Sequence, residues 1–226
     1  MFERFKLLVN DKFVDIQNKT VLVVGLGGVG SYTTESLVRS GISNLIIVDG
    51  DRIDISNLNR QLMTNQENIG EYKTEVWYNR IKSINPNCNV TLITKFINKD
   101  NIDGLFNYDI DYVVDACDTV TTKLLLIEWC NREGIKLISC MGTGNKLNPS
   151  KLEIIDIYKT SYDPLAKIIR KKCRELGIKK QLVVCSTEKS HIDNSKVIPS
   201  NAFVPATAGL LMTSYIINDI VGDDDV

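Results

Sequence analysis

The stretch Gly25-Leu26-Gly27-Gly28-Val29-Gly30 follows the β-branched run Val21-Leu22-Val23-Val24 and opens a segment with helical spacing. Glycines in this order make an anion site. Gly25 permits a tight turn, Gly27 lets the backbone approach a phosphate beside Gly28, Gly30 allows close helix packing, and the helix N-terminus attracts negative charge. Asp49 closes the next apolar run, Leu45-Ile46-Ile47-Val48, about 20 residues further on, where a carboxylate can accept hydrogen bonds from ribose hydroxyls. These residues fit NAD, FAD and ATP equally, because they read a ribose and phosphates and nothing beyond. The segment from Asp49 to Gln61 then adds Asp51, Asn57, Arg60 and Gln61, and Lys73 stands in the helix expected after Gly70. Two cations and two amides facing a phosphate site exceed what hydride transfer from a dinucleotide needs.

Those residues require a scaffold that brings strand ends together. The runs at 21–24 and 45–48 read as buried parallel strands joined by a crossover helix from Gly28 to Ser40, with Gly41 behind it. The alternation continues with a helix over 67–84, a strand over 90–94, a strand over 112–115, a helix over 119–132 and a strand over 136–140. The fold class expected is α/β: a Rossmann-like, doubly wound, mostly parallel sheet with helices on both faces. After Gly142-Thr143-Gly144, strands at 152–157 and 182–185 are expected to extend the sheet antiparallel. They flank a basic helix entered at Asp163-Pro164, and an apolar helix over 206–220 and a solvated end at 222–225 follow. One domain spans 1–226, with a nucleotide-binding half at 20–140 and a substrate-side half at 141–226.

Composition narrows the class. The 226 residues are 43% hydrophobic and 24% charged, and Lys+Arg 27 against Asp+Glu 28 gives a net charge of -1, so any basic surface must be local. One is visible. Lys167, Arg170, Lys171, Lys172, Arg174, Lys179 and Lys180 face a single acidic residue, Glu175. Lys167, Arg170, Lys171 and Arg174 recur at helical spacing, with Leu165, Ile168, Ile169 and Leu176 expected to pack on the sheet, which suits phosphate contacts with a nucleic acid. No apolar run approaches the roughly 18 to 20 residues that cross a bilayer, and charges occupy the N-terminus where a signal peptide needs an apolar block, so a cytoplasmic location without membrane contact is expected. Cys88, Cys117, Cys130, Cys140, Cys173 and Cys185 are scattered without a C-x-x-C pair, so neither a disulfide framework nor a zinc site is expected. His191 reads as a surface residue.

The motifs at 25–30, 48–61, 70–73 and 115–118 together resemble those of the ubiquitin-activating-like adenylating enzymes, the ThiF/MoeB/HesA superfamily. The resemblance implies that Asp49 holds the ribose of ATP, that Arg60 and Lys73 neutralise the triphosphate, that Asn57 and Gln61 orient them, and that Asp118 coordinates Mg²⁺. It also implies a homodimer in which Arg4, on an N-terminal helix, reaches across the interface to the phosphates.

Three further stretches, 141–149, 155–166 and 185–188, resemble the tRNA threonylcarbamoyladenosine dehydratase branch and extend the likeness over nearly the whole chain. That branch implies tRNA as partner and ATP-driven ring closure of a threonylcarbamoyl group, with no reactive cysteine, so that Cys140 and Cys185 read as core. The backbone at Gly142 and Gly144 would line the tunnel for the modified base, and Lys159, Thr160 and Ser161 would bind its polar groups. The competing reading is an adenylating enzyme or interaction module for a ubiquitin-like or sulfur-carrier protein, with a sulfurtransferase or sulfur acceptor as partner.

Overall fold

The computed structural model describes residues 1–192 and 197–222. A seven-stranded sheet organises the chain: β1 (Thr20–Val24), β2 (Asn44–Val48), β3 (Asn89–Ile93), β4 (Tyr112–Asp115), β5 (Lys136–Cys140), β6 (Leu152–Asp156) and β7 (Leu182–Ser186). They stand in the order β3-β2-β1-β4-β5-β7-β6. Around them lie α1 (Glu3–Val9), α2 (Lys12–Asn18), α3 (Gly30–Arg39), α4 (Lys73–Ile84), α5 (Val120–Glu133), α6 (Pro164–Glu175) and α7 (Phe203–Val221). The β-branched runs form the inner strands because helices cover both faces. Val21, Val23, Leu45, Ile47 and Val114 join one core with α3, α4 and α7, while Leu22, Val24, Ile46, Val48 and Val113 join the other with α5 and α6, the alternation that a period of two imposes.

The chain leaves β1 toward β2 on one side and returns to β4 on the other, so the carboxyl ends of β1 and β4 flank a topological switch point, where such sheets bind ligands. Three expectations change. The stretch at 67–84 is not one helix: a 3₁₀ turn at Gln66–Asn68, capped by the Asn65 side chain, is followed by Gly70 at φ 90, and α4 starts only at Lys73. Of the two later strands only β6 runs antiparallel, whereas β7 pairs in parallel with β5. The basic helix α6 buries Ala166, Ile169 and Cys173, leaving Ile168 and Leu176 exposed. The cap fixes that rotation, since Pro164 starts the helix and the Asp163 side chain accepts the Ala166 N–H at 2.7 Å.

Helix α7 is 19 residues long and apolar enough, by length and composition alone, to cross a membrane, which uninterrupted runs did not suggest. Polar Thr213 and Asn218 break the run, yet the mean hydropathy stays at 1.2. Here it is a core helix: Thr33 Oγ1 of α3 donates to the Gly209 carbonyl at 3.1 Å, and a Cβ at Gly209 would sit 2.4 Å from the Val29 carbonyl oxygen. This contact clamps the helix that follows the glycine turn. The acidic residues 223–225 lie outside the described residues.

Candidate functional site

The carboxyl ends of β1, β2, β4 and β5 open into a cavity of about 650 Å³. Its floor is the glycine turn. Gly25 has φ 90, and a Cβ there would lie 2.8 Å from the Ala116 carbonyl oxygen, while a Cβ on Gly30 would sit 1.8 Å from the Gly25 carbonyl oxygen. Both positions therefore exclude any side chain, for conformational and contact reasons respectively. Gly28 lies under the Arg60 stem, 3.2 Å from where its Cβ would be.

Asp49 is buried and its two oxygens accept the backbone N–H groups of Leu26 and Asp51, each at 2.8 Å. Burial pushes its carboxyl above the ordinary aspartate range, against the pull of Lys73. The Lys73 ammonium, buried at the first turn of α4, lies 2.9 Å from Asp51 Oδ2 and 3.7 Å from Asp49 Oδ2. Arg60 donates through Nη1 to the Ser56 carbonyl and to Asn59 Oδ1, neither of which is charged. Asn57 is fixed by a reciprocal cap in which its Oδ1 accepts the Asp54 N–H at 3.1 Å. Gln61 is buried, and its Oε1 has no hydrogen-bond partner among the described residues. An orphaned acceptor on a cavity wall suits a bound ligand that carries donors.

Gly25, Gly27, Gly28, Asp49, Asp51, Asn57, Arg60, Gln61, Lys73 and Asp118 all line this cavity, as do Gly142 and Gly144. Asp118 is exposed and its carboxylate accepts the Thr119 hydroxyl at 3.4 Å; Thr119, not Asp118, occupies the cap position of α5. Other expected residues stand elsewhere. Lys159, Thr160 and Ser161 do not line the cavity, because Thr160 closes a turn onto the Ile157 carbonyl and holds Arg170, whose Nη1 donates to Thr160 Oγ1 at 2.6 Å. Arg170 is thereby half-buried and committed, and Lys172 pairs with Glu175 at 2.7 Å, so the cations of α6 are not a uniform stripe. Arg174 lies over the Tyr158 ring. Arg4 is exposed on α1, a helix with no buried residue, and is not among the cavity-lining residues. Cys140 and Cys185 are buried, and burial pushes both thiols up to about 12. His191 is half-exposed and bonds the Glu188 carboxylate.

Sequence reasoning missed a charge network beneath the cavity. Lys123 and Asp115 are both wholly buried, 3.0 Å apart; the lysine also donates to the Cys140 carbonyl at 2.7 Å, and Asp115 accepts the Ser139 hydroxyl. The signal was present, since Lys123 falls on the same helical stripe as Leu126, Ile127 and Cys130. Phe96 was missed as well. Its ring covers Gly50, where a Cβ would meet it at 2.7 Å, and it lines the cavity beside Lys95 and Ile97.

Fold and cavity together define an α/β nucleotide-binding protein with a ligand site at the switch point of the sheet. The chain belongs to the ThiF family, whose model matches residues 3–222. It is 38% identical to the tRNA threonylcarbamoyladenosine dehydratase of Bacillus subtilis (strain 168), over 100% of this chain and 96% of that relative. It also superposes on crystal structures of Escherichia coli tRNA N6-threonylcarbamoyladenosine dehydratase, TcdA. The complex with AMP matches with a TM-score of 0.93 at 32% identity, covering 98% of this chain and 94% of that one. The complex with ATP gives 0.92 at 31%, covering 98% and 93%.

Proposed function

We propose that this protein is an ATP-dependent tRNA threonylcarbamoyladenosine dehydratase. The observation that carries the reading is the match over all of this chain and 96% of the Bacillus subtilis enzyme, joined to a cavity in which the phosphate-binding turn and the 142–144 backbone face one space. A carboxylate is a poor electrophile until one of its oxygens becomes part of a phosphate leaving group. With ATP on the glycine turn, the carboxylate of the threonylcarbamoyl group attacks the α-phosphorus and pyrophosphate departs. An internal nucleophile then closes the ring and expels AMP, with net loss of water. Arg60 and Lys73 neutralise charge at the phosphates, and Asp49 holds the ribose.

Among the described residues no cluster of three or more His, Cys, Asp or Glu forms a metal cage. A Mg²⁺ that arrives with nucleotide needs only one or two carboxylates besides the phosphates. Asp118, exposed on the cavity wall, fits that part, and the ion would supply further charge neutralisation there. The exposed cations Lys167, Lys171 and Arg174 of α6 are suited to tRNA phosphates. A homodimer and a cytoplasmic location belong to the same reading. Support for the dimer comes from α1, where Leu7 and Leu8 are 80% and 76% exposed beside Arg4, an apolar pair that a second copy would cover while Arg4 enters its site. Sedimentation is expected to give a dimer, and a monomer at working concentration would remove the trans role of Arg4.

The decisive experiment incubates purified protein with tRNA carrying threonylcarbamoyladenosine beside the anticodon. Nucleoside analysis should show a product lighter by one water, formed with ATP and Mg²⁺ and not with NAD. If the nucleoside is unchanged under these conditions, the dehydratase reading fails.

A further inference from the structure

Three buried lysines lie in or beneath the cavity, and they are not alike. Lys73 sits 2.9 Å from Asp51, and Lys123 sits 3.0 Å from Asp115. Lys146, 3% exposed, lines the cavity in the loop after β5. Its ammonium donates to the backbone carbonyl of Glu188 at 2.8 Å, and among the described residues no carboxylate oxygen lies within 4.0 Å of it. An ammonium has three donors, and a buried cation that faces only a neutral carbonyl is costly unless a ligand completes its shell.

The position of this cation is over-determined. On one side of it, Asn145, held at φ 58, accepts the N–H groups of His191 and Ile192 through its Oδ1. On the other, the Glu188 carboxylate accepts the N–H groups of Leu147 at 3.0 Å and Asn148 at 2.8 Å. Asn201 Nδ2 donates to the Lys146 carbonyl at 2.7 Å. The Glu188 carboxylate is thus turned onto the backbone and the His191 ring, and only its carbonyl oxygen faces the lysine. Asp163 lines the same cavity but is tied to the first turn of α6 and packs over Gly142. The loop holds a charge in a fixed place, and none of the roles assigned above uses it.

We propose that Lys146 binds the carboxylate of the substrate, the group that ATP activates; the assignment rests on the dehydratase reading. A lysine suits this task better than an arginine. Its ammonium is a point donor that can hold one carboxylate oxygen and leave the other to attack, whereas a guanidinium fork takes both. The free oxygen forms the new bond to the α-phosphorus, the bond from that phosphorus to its bridging oxygen breaks, and pyrophosphate leaves with the electron pair. The held oxygen is then the carbonyl oxygen of the mixed anhydride. As the internal nucleophile adds, negative charge collects on that oxygen, where Lys146 already stands. The C–O bond to AMP breaks next, AMP leaves with its electrons, and the nucleophile loses its proton.

The test compares wild type with Lys146→Met and Lys146→Gln; the glutamine retains a donor for the Glu188 carbonyl and so preserves the loop. Turnover is measured on tRNA carrying threonylcarbamoyladenosine, and binding is measured for that tRNA and for the same tRNA with unmodified adenosine. Loss of one charge-assisted hydrogen bond should lower kcat/KM by about 10- to 100-fold. Wild type should bind the modified tRNA more tightly, and both variants should bind the two tRNAs alike with ATP affinity unchanged, the glutamine variant also keeping the wild-type melting temperature. Variants that keep the wild-type kcat/KM or the wild-type preference overturn the assignment while leaving the dehydratase reading in place. A parallel fall in ATP affinity and melting temperature in both variants would make Lys146 structural and overturn it too. If wild type itself forms no cyclised nucleoside, the parent reading fails and takes this one with it.

Discussion

Lys123→Met is expected to destabilise the protein by about 3 to 5 kcal/mol, the cost of leaving a buried charge without its partner. Burial alone would drive the Lys123 ammonium toward its neutral form, but the Asp115 carboxylate holds it charged, above the ordinary lysine range. Removing the lysine strands Asp115, whose remaining partners are the Ser139 hydroxyl and the thiol and N–H of Cys117. The Cys140 carbonyl loses its donor at the same time. Denaturant unfolding checks the value. The double variant Lys123→Met with Asp115→Leu should recover much of the loss, because replacing both members of a buried pair is often near neutral. A single variant as stable as wild type would show that the pair contributes nothing to the fold.

Lys73→Ala is expected to lower kcat by about 100- to 1000-fold, as removal of a preorganised donor at a charge-developing centre does. The ammonium lies between Asp49 and Asp51 at the first turn of α4. It can turn toward a phosphate without leaving that pair. Its loss acts twice. The phosphates lose a counter-charge, and the Asp49 carboxyl, already raised by burial, loses the cation that opposes the rise and holds a proton more readily. A protonated Asp49 is a poorer acceptor for ribose hydroxyls, so ATP affinity should fall as well. The fold should persist, because the Leu26 and Asp51 N–H groups still engage Asp49. Steady-state turnover alongside circular dichroism decides it; near wild-type turnover in a folded variant would remove Lys73 from the phosphate site.

Much of this architecture was legible in the residues because the inner strands β1, β2 and β4 are short apolar runs buried on both faces. The run at 112–115 and that at 136–140 form strands with the bounds expected. Strand direction was not legible for β7, since an apolar run carries no sign of whether its neighbour runs with it. Nor was the buried face of α6: Ile168 and Leu176 are the larger side chains, yet the Asp163 cap sets the helix so that small Ala166 and Cys173 meet the sheet. At the site, the glycines, Asp49, Arg60 and Lys73 follow a local pattern tied to one turn and could be read directly. Lys146 could not, because its meaning lies in a partner 42 residues away along the chain, whereas Lys123 was legible only as a lysine on an apolar helical stripe.

The strand order also governs how the chain acquires its shape during synthesis. β7 lies between β5 and β6, so β6, although made earlier, reaches the sheet only through a strand that leaves the ribosome some 30 residues later. Until then β5 is an open edge with unpaired backbone groups, next to the buried pair of Asp115 and Lys123, and such an edge can template contact with other chains. β6 and β7 form an antiparallel pair across α6 and can assemble as a unit before docking on β5. A nascent chain that stalls between β6 and β7 would therefore carry the complete glycine turn and an exposed sheet edge together, the form of this protein most exposed to aggregation.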